Sequence, residues 1–346
     1  MASLPPAESH TDRKWSVTPP SSPSPSSEEK RQPRIDSSET SQDDQQQQHR
    51  RKHQREPKGE EPRHGPARLL SYDEIPSWYQ DNPYIRHGYR PVTHSTRACL
   101  RSWARLHNET VNIFTHLVPA TVLLLGLVYV LTHLHYRYDG GLAPADYAIV
   151  ACLLLAGAAC LGVSSAYHTL LCHSREVEAR WLRLDFVGIV VLILGSFVSG
   201  IYVAFWCEGV VRTIYWSMIG SLAAISVVVV LAPAFQGPRW RTLRLLTFVC
   251  TGLSGLAPIV HGICLFGFAR MMRQSGLPYY LAEGGLFLLG AVVYATRFPE
   301  SMSPGTFDIY GSSHQIFHVL VVLATVVHLI GVLDAFDYNY HHRQCI

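Results

Sequence analysis

Seven long apolar stretches, parted by brief polar breaks, constrain this chain more than any other feature. They run over roughly 112–133, 146–172, 182–205, 213–233, 243–267, 278–296 and 314–335. A helix that crosses a bilayer needs about 20 mostly apolar residues. In lipid its backbone must satisfy its own hydrogen bonds, which leaves helices or closed barrels. Barrel strands would show as short alternating segments, and these runs are long and continuous. The breaks carry turn residues: Asp139-Gly140-Gly141, Gln236-Gly237-Pro238, Arg273 to Gly276, and Pro299 to Gly305. The sequence therefore predicts an all-α membrane protein, a bundle of seven transmembrane helices. Charged residues are 16% of the chain, against about 25% in ordinary soluble domains, which argues against a soluble enzyme.

Residues 1–66 are of another kind. They hold 11 Lys and Arg, 11 Asp and Glu, and the run Gln45 to Gln48. Too little apolar surface is present to offset chain entropy, so a disordered cytosolic tail is expected. A juxtamembrane interfacial segment over 67–111, the seven-helix domain over 112–335 and a short C-terminal tail over 336–346 complete the division. The start of the chain lacks the apolar core of a cleavable signal peptide, so none is expected. A net charge of +3 is too slight for the concentrated basic face that nucleic acid requires. Cys152, Cys160, Cys172, Cys250 and Cys264 fall in or at the edge of apolar runs and read as small hydrophobic side chains, not as a disulfide framework.

Orientation follows from where short loops carry Arg. With the N-terminus in the cytosol, the inner loops hold Arg175, Arg180, Arg183, Arg239, Arg241, Arg244 and Arg297, and the outer segments hold Arg137, Arg212, Arg270, Arg273 and Arg343. Arg86, Arg90, Arg97, Arg101 and Arg105, just before the first span, tip the balance to N-terminus inside and C-terminus outside. The sequon Asn108-Glu109-Thr110 then faces the cytosol and stays unmodified.

Polar side chains inside a membrane are costly and mark function by default. Here they gather at one depth near the inner face: Glu109, Asn112 and His116 at the start of the first span, Ser164 and His168 near the end of the second, Asp185 about one turn into the third, and His314 and His318 at the start of the seventh. His314 and His318 stand at i and i+4, on one helical face, a spacing suited to zinc. His168 would complete three protein ligands and leave a fourth position open, as in catalytic zinc sites. Asp185 would then hold and deprotonate a water, and Ser164 would orient His168 or that water. Glu109, Asn112 and His116 read as groups supporting the ligands. Two alternatives stand beside this reading. His173 and Cys172 are rival ligands, and the whole cluster can serve interhelical hydrogen bonding instead. His261, Glu283 and His328 lie nearer the outer side and read as packing hydrogen bonds.

The residues that carry these groups resemble the progestin and adipoQ receptor family, which is itself similar to haemolysin III proteins. The resemblance rests on the run from Ile75 through Trp78, Asn82, Tyr84, Gly88 and Arg90, on Glu109-Thr-Val-Asn112-Ile-Phe-Thr-His116, on Ser164-Ser-Ala-Tyr-His168, on Asp185, and on His314-Gln-Ile-Phe-His318. It covers about residues 68–335, with adiponectin receptors and fungal members most alike. It implies a seven-helix bundle with a cytosolic N-terminus, zinc on His168, His314 and His318, and Asp185 beside the zinc-bound water. It also implies a ceramidase type of activity that releases a fatty acid from a sphingoid base, and roles in lipid and zinc homeostasis.

Three functional readings follow. The first is a zinc-dependent hydrolase of a lipid amide, with a ceramide-like lipid or its fatty acid as the bound partner. The second is a seven-helix receptor with a structural zinc. The third, a zinc transporter, fits poorly because the candidate ligands sit at one depth. Either the plasma membrane or an endomembrane suits the chain. In 68–106 the mixture of Trp78, Tyr79, Tyr84, Tyr89 and Trp103 with Arg residues suits a membrane interface. A short amphipathic helix is expected there, with Pro76 opening a helical turn and Pro83 closing one.

Overall fold

The computed structural model describes residues 68–343 and Cys345. The expected disordered tail over 1–66 lies outside the described residues.

Among the described residues, ten α-helices follow in order. A short helix, α1 (Thr96–Arg101), precedes α2 (Thr110–Arg137), α3 (Pro144–Leu170), α4 (Arg175–Ala204) and α5 (Gly209–Leu231). Then come α6 (Arg241–Leu253), α7 (Leu256–Phe266), α8 (Phe268–Gln274), α9 (Leu277–Thr296) and α10 (Ser313–His342). Seven segments are long and apolar enough to cross a membrane, with α6 and α7 together forming the fifth. Many large apolar side chains, among them Leu125, Val128, Val210 and Val292, are exposed. That is the surface expected of a bundle whose solvent is lipid.

The fifth span is not one helix. Ser254 and Gly255 part α6 from α7, and a Cβ at Gly255 would crowd the Phe197 ring and the Gly252 carbonyl, each at 3.2 Å. Gly267, at φ +79°, ends α7 in a conformation that favours glycine. The third span also differs from expectation. Helix α4 begins at Arg175, so Asp185 lies about three turns in, not one. Its first turn carries Glu176 and Glu178, which suit a helix N-terminus, and polar residues extend the helix beyond the apolar run.

Helix α10 packs on α2, α4 and α9, and α3 lies between α2 and α4. One end of this packing is apolar, with Leu134, Val150, Leu153, Val203, Val332 and Phe336 buried together. There Asn339, fully buried, donates to the carbonyls of Val203 and Gln274 at 2.9 and 2.8 Å, tying α10 to the ends of α4 and α8. A disulfide joins Cys207, just after α4, to Cys345. The other cysteines are free. Cys160 and Cys172 are buried as expected, whereas Cys152, Cys250 and Cys264 are exposed.

The segment before α2 folds onto the opposite end. Leu70 and Tyr89 pair in an isolated antiparallel bridge. Ile75, Tyr79, Ile85, Tyr89 and Cys99 bury themselves against Leu171 and Cys172 at the end of α3. Pro76 opens a single turn, closed by Tyr79 N–H at 2.9 Å, but the helix of this segment is α1, capped by the Ser95 hydroxyl.

Candidate metal centre

Three histidines on two helices converge, and each helix end is fixed by a buried charge. Glu300, fully buried, accepts from the Ser313 N–H at 2.7 Å, from the Ser313 hydroxyl, and from Asn82 Nδ2 at 3.0 Å. A carboxylate there satisfies the orphan amide and complements the helix dipole. It fixes the first turn of α10, which carries His314 and His318. At the end of α3, the buried Arg90 donates to the carbonyls of His168 and Thr169 at 2.5 and 3.0 Å and to the Ser102 hydroxyl at 2.8 Å. A cation on the last carbonyls of a helix is favourable for the same reasons.

The Nε2 atom of His314 stands 3.2 Å from Nε2 of His168 and 3.1 Å from Nε2 of His318. For neutral rings, the contacts of the outer nitrogens set the tautomers. His168 Nδ1 lies 2.8 Å from Glu109 Oε2, and His318 Nδ1 lies 3.2 Å from the Asn112 carbonyl, which can only accept. In neutral rings both Nδ1 atoms then carry the hydrogen, and both Nε2 atoms present lone pairs inward. A single proton on His314 Nε2 can serve only one neighbour and leaves the other neighbour's lone pair without a donor. A cation between the three nitrogens resolves this. About 2.0–2.1 Å from metal to nitrogen in a tetrahedral site places ligand nitrogens about 3.3 Å apart, close to the spacing here. His168, His314 and His318 thus form a largely buried group able to hold a metal ion.

The supporting residues are also in place. Glu109 accepts from Asn112 Nδ2 at 2.7 Å as well as from His168. Burial pushes the Glu109 carboxyl up, but the bonds from His168 and Asn112 and the charge of Arg90 prevail and hold it at about 2. His116 stacks flat on His318, with ring centroids 3.6 Å apart. The rival ligands point elsewhere: Cys172 Sγ faces Cys99 Sγ at 3.6 Å, and His173 Nδ1 faces the Ser174 hydroxyl at 3.3 Å.

Asp185 and Ser164 line a cavity of about 580 Å³ together with His116, His314 and His318. Its walls are mostly apolar, with Phe186, Phe248 and Phe287 among them. Charged residues that the sequence marked only for orientation also line it. Arg241 lies over the Tyr294 ring at 4.3 Å and donates to the Tyr294 hydroxyl and carbonyl at 3.2 and 3.1 Å. Arg244 donates to the carbonyls of Phe235 and Gly237 at 2.9 and 3.2 Å. His261 makes the expected packing bond, to the Tyr215 hydroxyl at 3.0 Å. Glu283 and His328 bond to each other at 2.7 Å, and both line this same cavity, a continuity that no sequence signal gives.

Comparison with known proteins shows the family. The haemolysin-III related family matches residues 104–329. The chain is 37% identical over 278 residues to the adiponectin receptor protein of Drosophila melanogaster, an alignment covering 80% of this chain and 62% of the fly protein. It is 37% identical over 274 residues to an ADIPOR-like receptor of Saccharomyces cerevisiae, covering 78% of this chain and 84% of the relative. It is 32% identical over 312 residues to heptahelical transmembrane protein 3 of Arabidopsis thaliana, covering 80% and 90%. The chain is an integral membrane protein that belongs to the haemolysin-III related family, in the branch of the adiponectin and progestin and adipoQ receptors.

Proposed function

We propose that this protein hydrolyses the amide bond of a membrane lipid, ceramide-like in kind, with zinc held by His168, His314 and His318. The observation that carries the proposal is the convergence of three imidazole nitrogens, two of whose rings, His314 and His318, line an apolar cavity together with Asp185. Zinc bound there would polarise the carbonyl and lower the pKa of a water. The remaining roles fall to the chain's own groups. The apolar walls hold the acyl chain and exclude bulk water. Asp185 takes the proton that water loses as its oxygen bonds to the carbonyl carbon. The C–N bond then breaks, and that proton passes to the departing nitrogen, so that a fatty acid and an amine result. Ser164, one turn before His168, orients the water. Arg241 and Arg244 give the cavity a positive side suited to the new carboxylate.

The orientation proposed with it is N-terminus in the cytosol and C-terminus outside. The Arg-rich loops near the histidines support this. So does the Cys207–Cys345 disulfide, which lies at the opposite helix ends and suits an oxidising compartment.

Metal analysis of the purified protein, beside His318→Ala, tests the site. About one zinc per chain, sharply reduced in the variant, is expected. Ceramide hydrolysis by the parent, lost in Asp185→Asn with metal retained, is expected next. The names of the fly and yeast relatives favour a second reading, a ligand-binding receptor with a purely structural metal. A zinc-loaded parent without turnover would select it.

A further inference from the structure

Helix α1 and the turn after it carry a face that nothing among the described residues covers. Arg97, Leu100 and Arg101 stand at i, i+3 and i+4, on one side of α1, and all three are exposed. Arg105 and Leu106 follow, exposed as well. None of these arginines enters an ion pair among the described residues, where Arg68, Arg137, Arg297 and Arg343 do so instead. The face is therefore basic and apolar at once.

The other side of this segment is anchored to the bundle. Cys99 is buried against Leu171 and Cys172. The Ser102 hydroxyl accepts from Arg90 at 2.8 Å, and Trp103 Nε1 donates to the Thr169 hydroxyl at 3.0 Å. The exposed row thus has a fixed place, and its neighbour is a lipid-facing surface. Trp103 meets Phe114 of α2 edge to face, with ring centroids 5.9 Å apart. Phe114, Val118 and Val122 stand at i, i+4 and i+8 of α2 and are exposed, a stripe suited to acyl chains. The row lies at the foot of that stripe, where headgroups replace acyl chains.

We infer that Arg97, Arg101 and Arg105 bind the headgroup of an anionic phospholipid of the cytosolic leaflet, with Leu100 and Leu106 set among the upper carbons of its chains. The phosphate accepts from guanidinium groups, and the chains cover the two leucines. A soluble anion would satisfy the arginines and leave the leucines in water. Anionic lipids are concentrated in the cytosolic leaflet, so the assignment rests on the orientation proposed above.

The test counts bound lipid. Full-length protein in detergent is titrated with phosphatidylserine and with phosphatidylcholine of the same acyl chains, and the first bound lipid is followed by native mass spectrometry. Phosphatidylserine is expected to bind more than about tenfold more tightly, at about fivefold for each arginine near an anionic surface. Arg97→Gln combined with Arg101→Gln should bring the ratio close to one. Arg270→Gln, at an exposed arginine of α8, should keep it. All three positions are exposed, and the metal content of each variant reports that the bundle is intact. Equal affinities in the parent, or a preference unchanged in the double variant, would overturn the site. So would an equal loss in Arg270→Gln, which would make the preference one of overall charge. Glycerophosphoserine, the headgroup without chains, should compete poorly; competition as strong as that of the lipid would overturn the site by making the row a place for soluble anions. Detergent presents no sides, so each of these failures leaves the orientation standing.

Discussion

Glu109 and His168, 59 residues apart, meet at 2.8 Å between the carboxylate and Nδ1. This bond fixes the tautomer of His168 and turns its Nε2 toward His314. A carboxylate behind a metal-binding histidine also raises the basicity of the ring. Glu109→Gln keeps an acceptor and removes the charge. The expected outcome is about a tenfold loss of metal affinity with the bundle intact, measured by competition with a chelator. Unchanged affinity would remove Glu109 from the site.

Arg90 joins the segment before α2 to the end of α3. Arg90→Met leaves the carbonyls of His168 and Thr169 and the Ser102 hydroxyl without their cation. Bonds from a charged donor are worth about 1.5–3 kcal/mol each, so the apparent Tm in detergent should fall by several degrees. Metal affinity should fall with it, because His168 occupies the loosened turn. Thermal unfolding and chelator competition on one preparation separate the two effects.

His107, in the loop before α2, supplies a pH dependence. Its Nδ1 accepts the Glu109 N–H at 3.2 Å, so the neutral ring suits the fold. Burial, and then the charge of Arg90, press its pKa down to about 4. The folded state thus resists a proton that the unfolded chain accepts below about 6.5. The unfolded state binds more protons in that range, so stability falls as pH drops from about 6.5 toward 4 and is full above it. His107→Asn keeps an acceptor for the Glu109 N–H and removes the titration. The parent should lose more Tm than this variant between pH 7 and pH 5, and parallel curves would exclude His107 as the source.

The helices were legible because their signal is local. Apolar runs of bilayer length need no partner to be recognised, and i, i+4 spacing places His314 and His318 on one face whatever else packs there. His168, Asp185 and Ser164 could be joined to them only through depth in the membrane, a coarse coordinate; Asp185 and Ser164 line one cavity with His314 and His318, and His168 meets His314 at 3.2 Å. What pairs with what was not legible. Arg90 on the end of α3, Glu300 at the start of α10, and Ser199 with His328 and Glu283 are contacts between elements far apart in sequence. None has a spacing that announces it. The break at Ser254 and Gly255 was hidden for another reason: hydropathy continues across it. Cys207 and Cys345 were equally silent, because pairing across 138 residues depends on where α10 ends.

That pairing makes the last prediction. At this end of the bundle Arg343 also bonds Glu208 at 2.7 Å, and Asn339 holds the ends of α4 and α8. The disulfide constrains a long loop in the unfolded chain, a contribution of about 2–4 kcal/mol. Cys207→Ser should therefore lower the Tm while leaving metal content unchanged, since the histidines sit at the opposite ends of α3 and α10. In sealed vesicles of known orientation, a membrane-impermeant reductant followed by a thiol-reactive mass tag should label Cys207 and Cys345 from the non-cytosolic side only. Labelling from the cytosolic side would reverse the proposed orientation, and with it the side of the membrane that the metal centre faces.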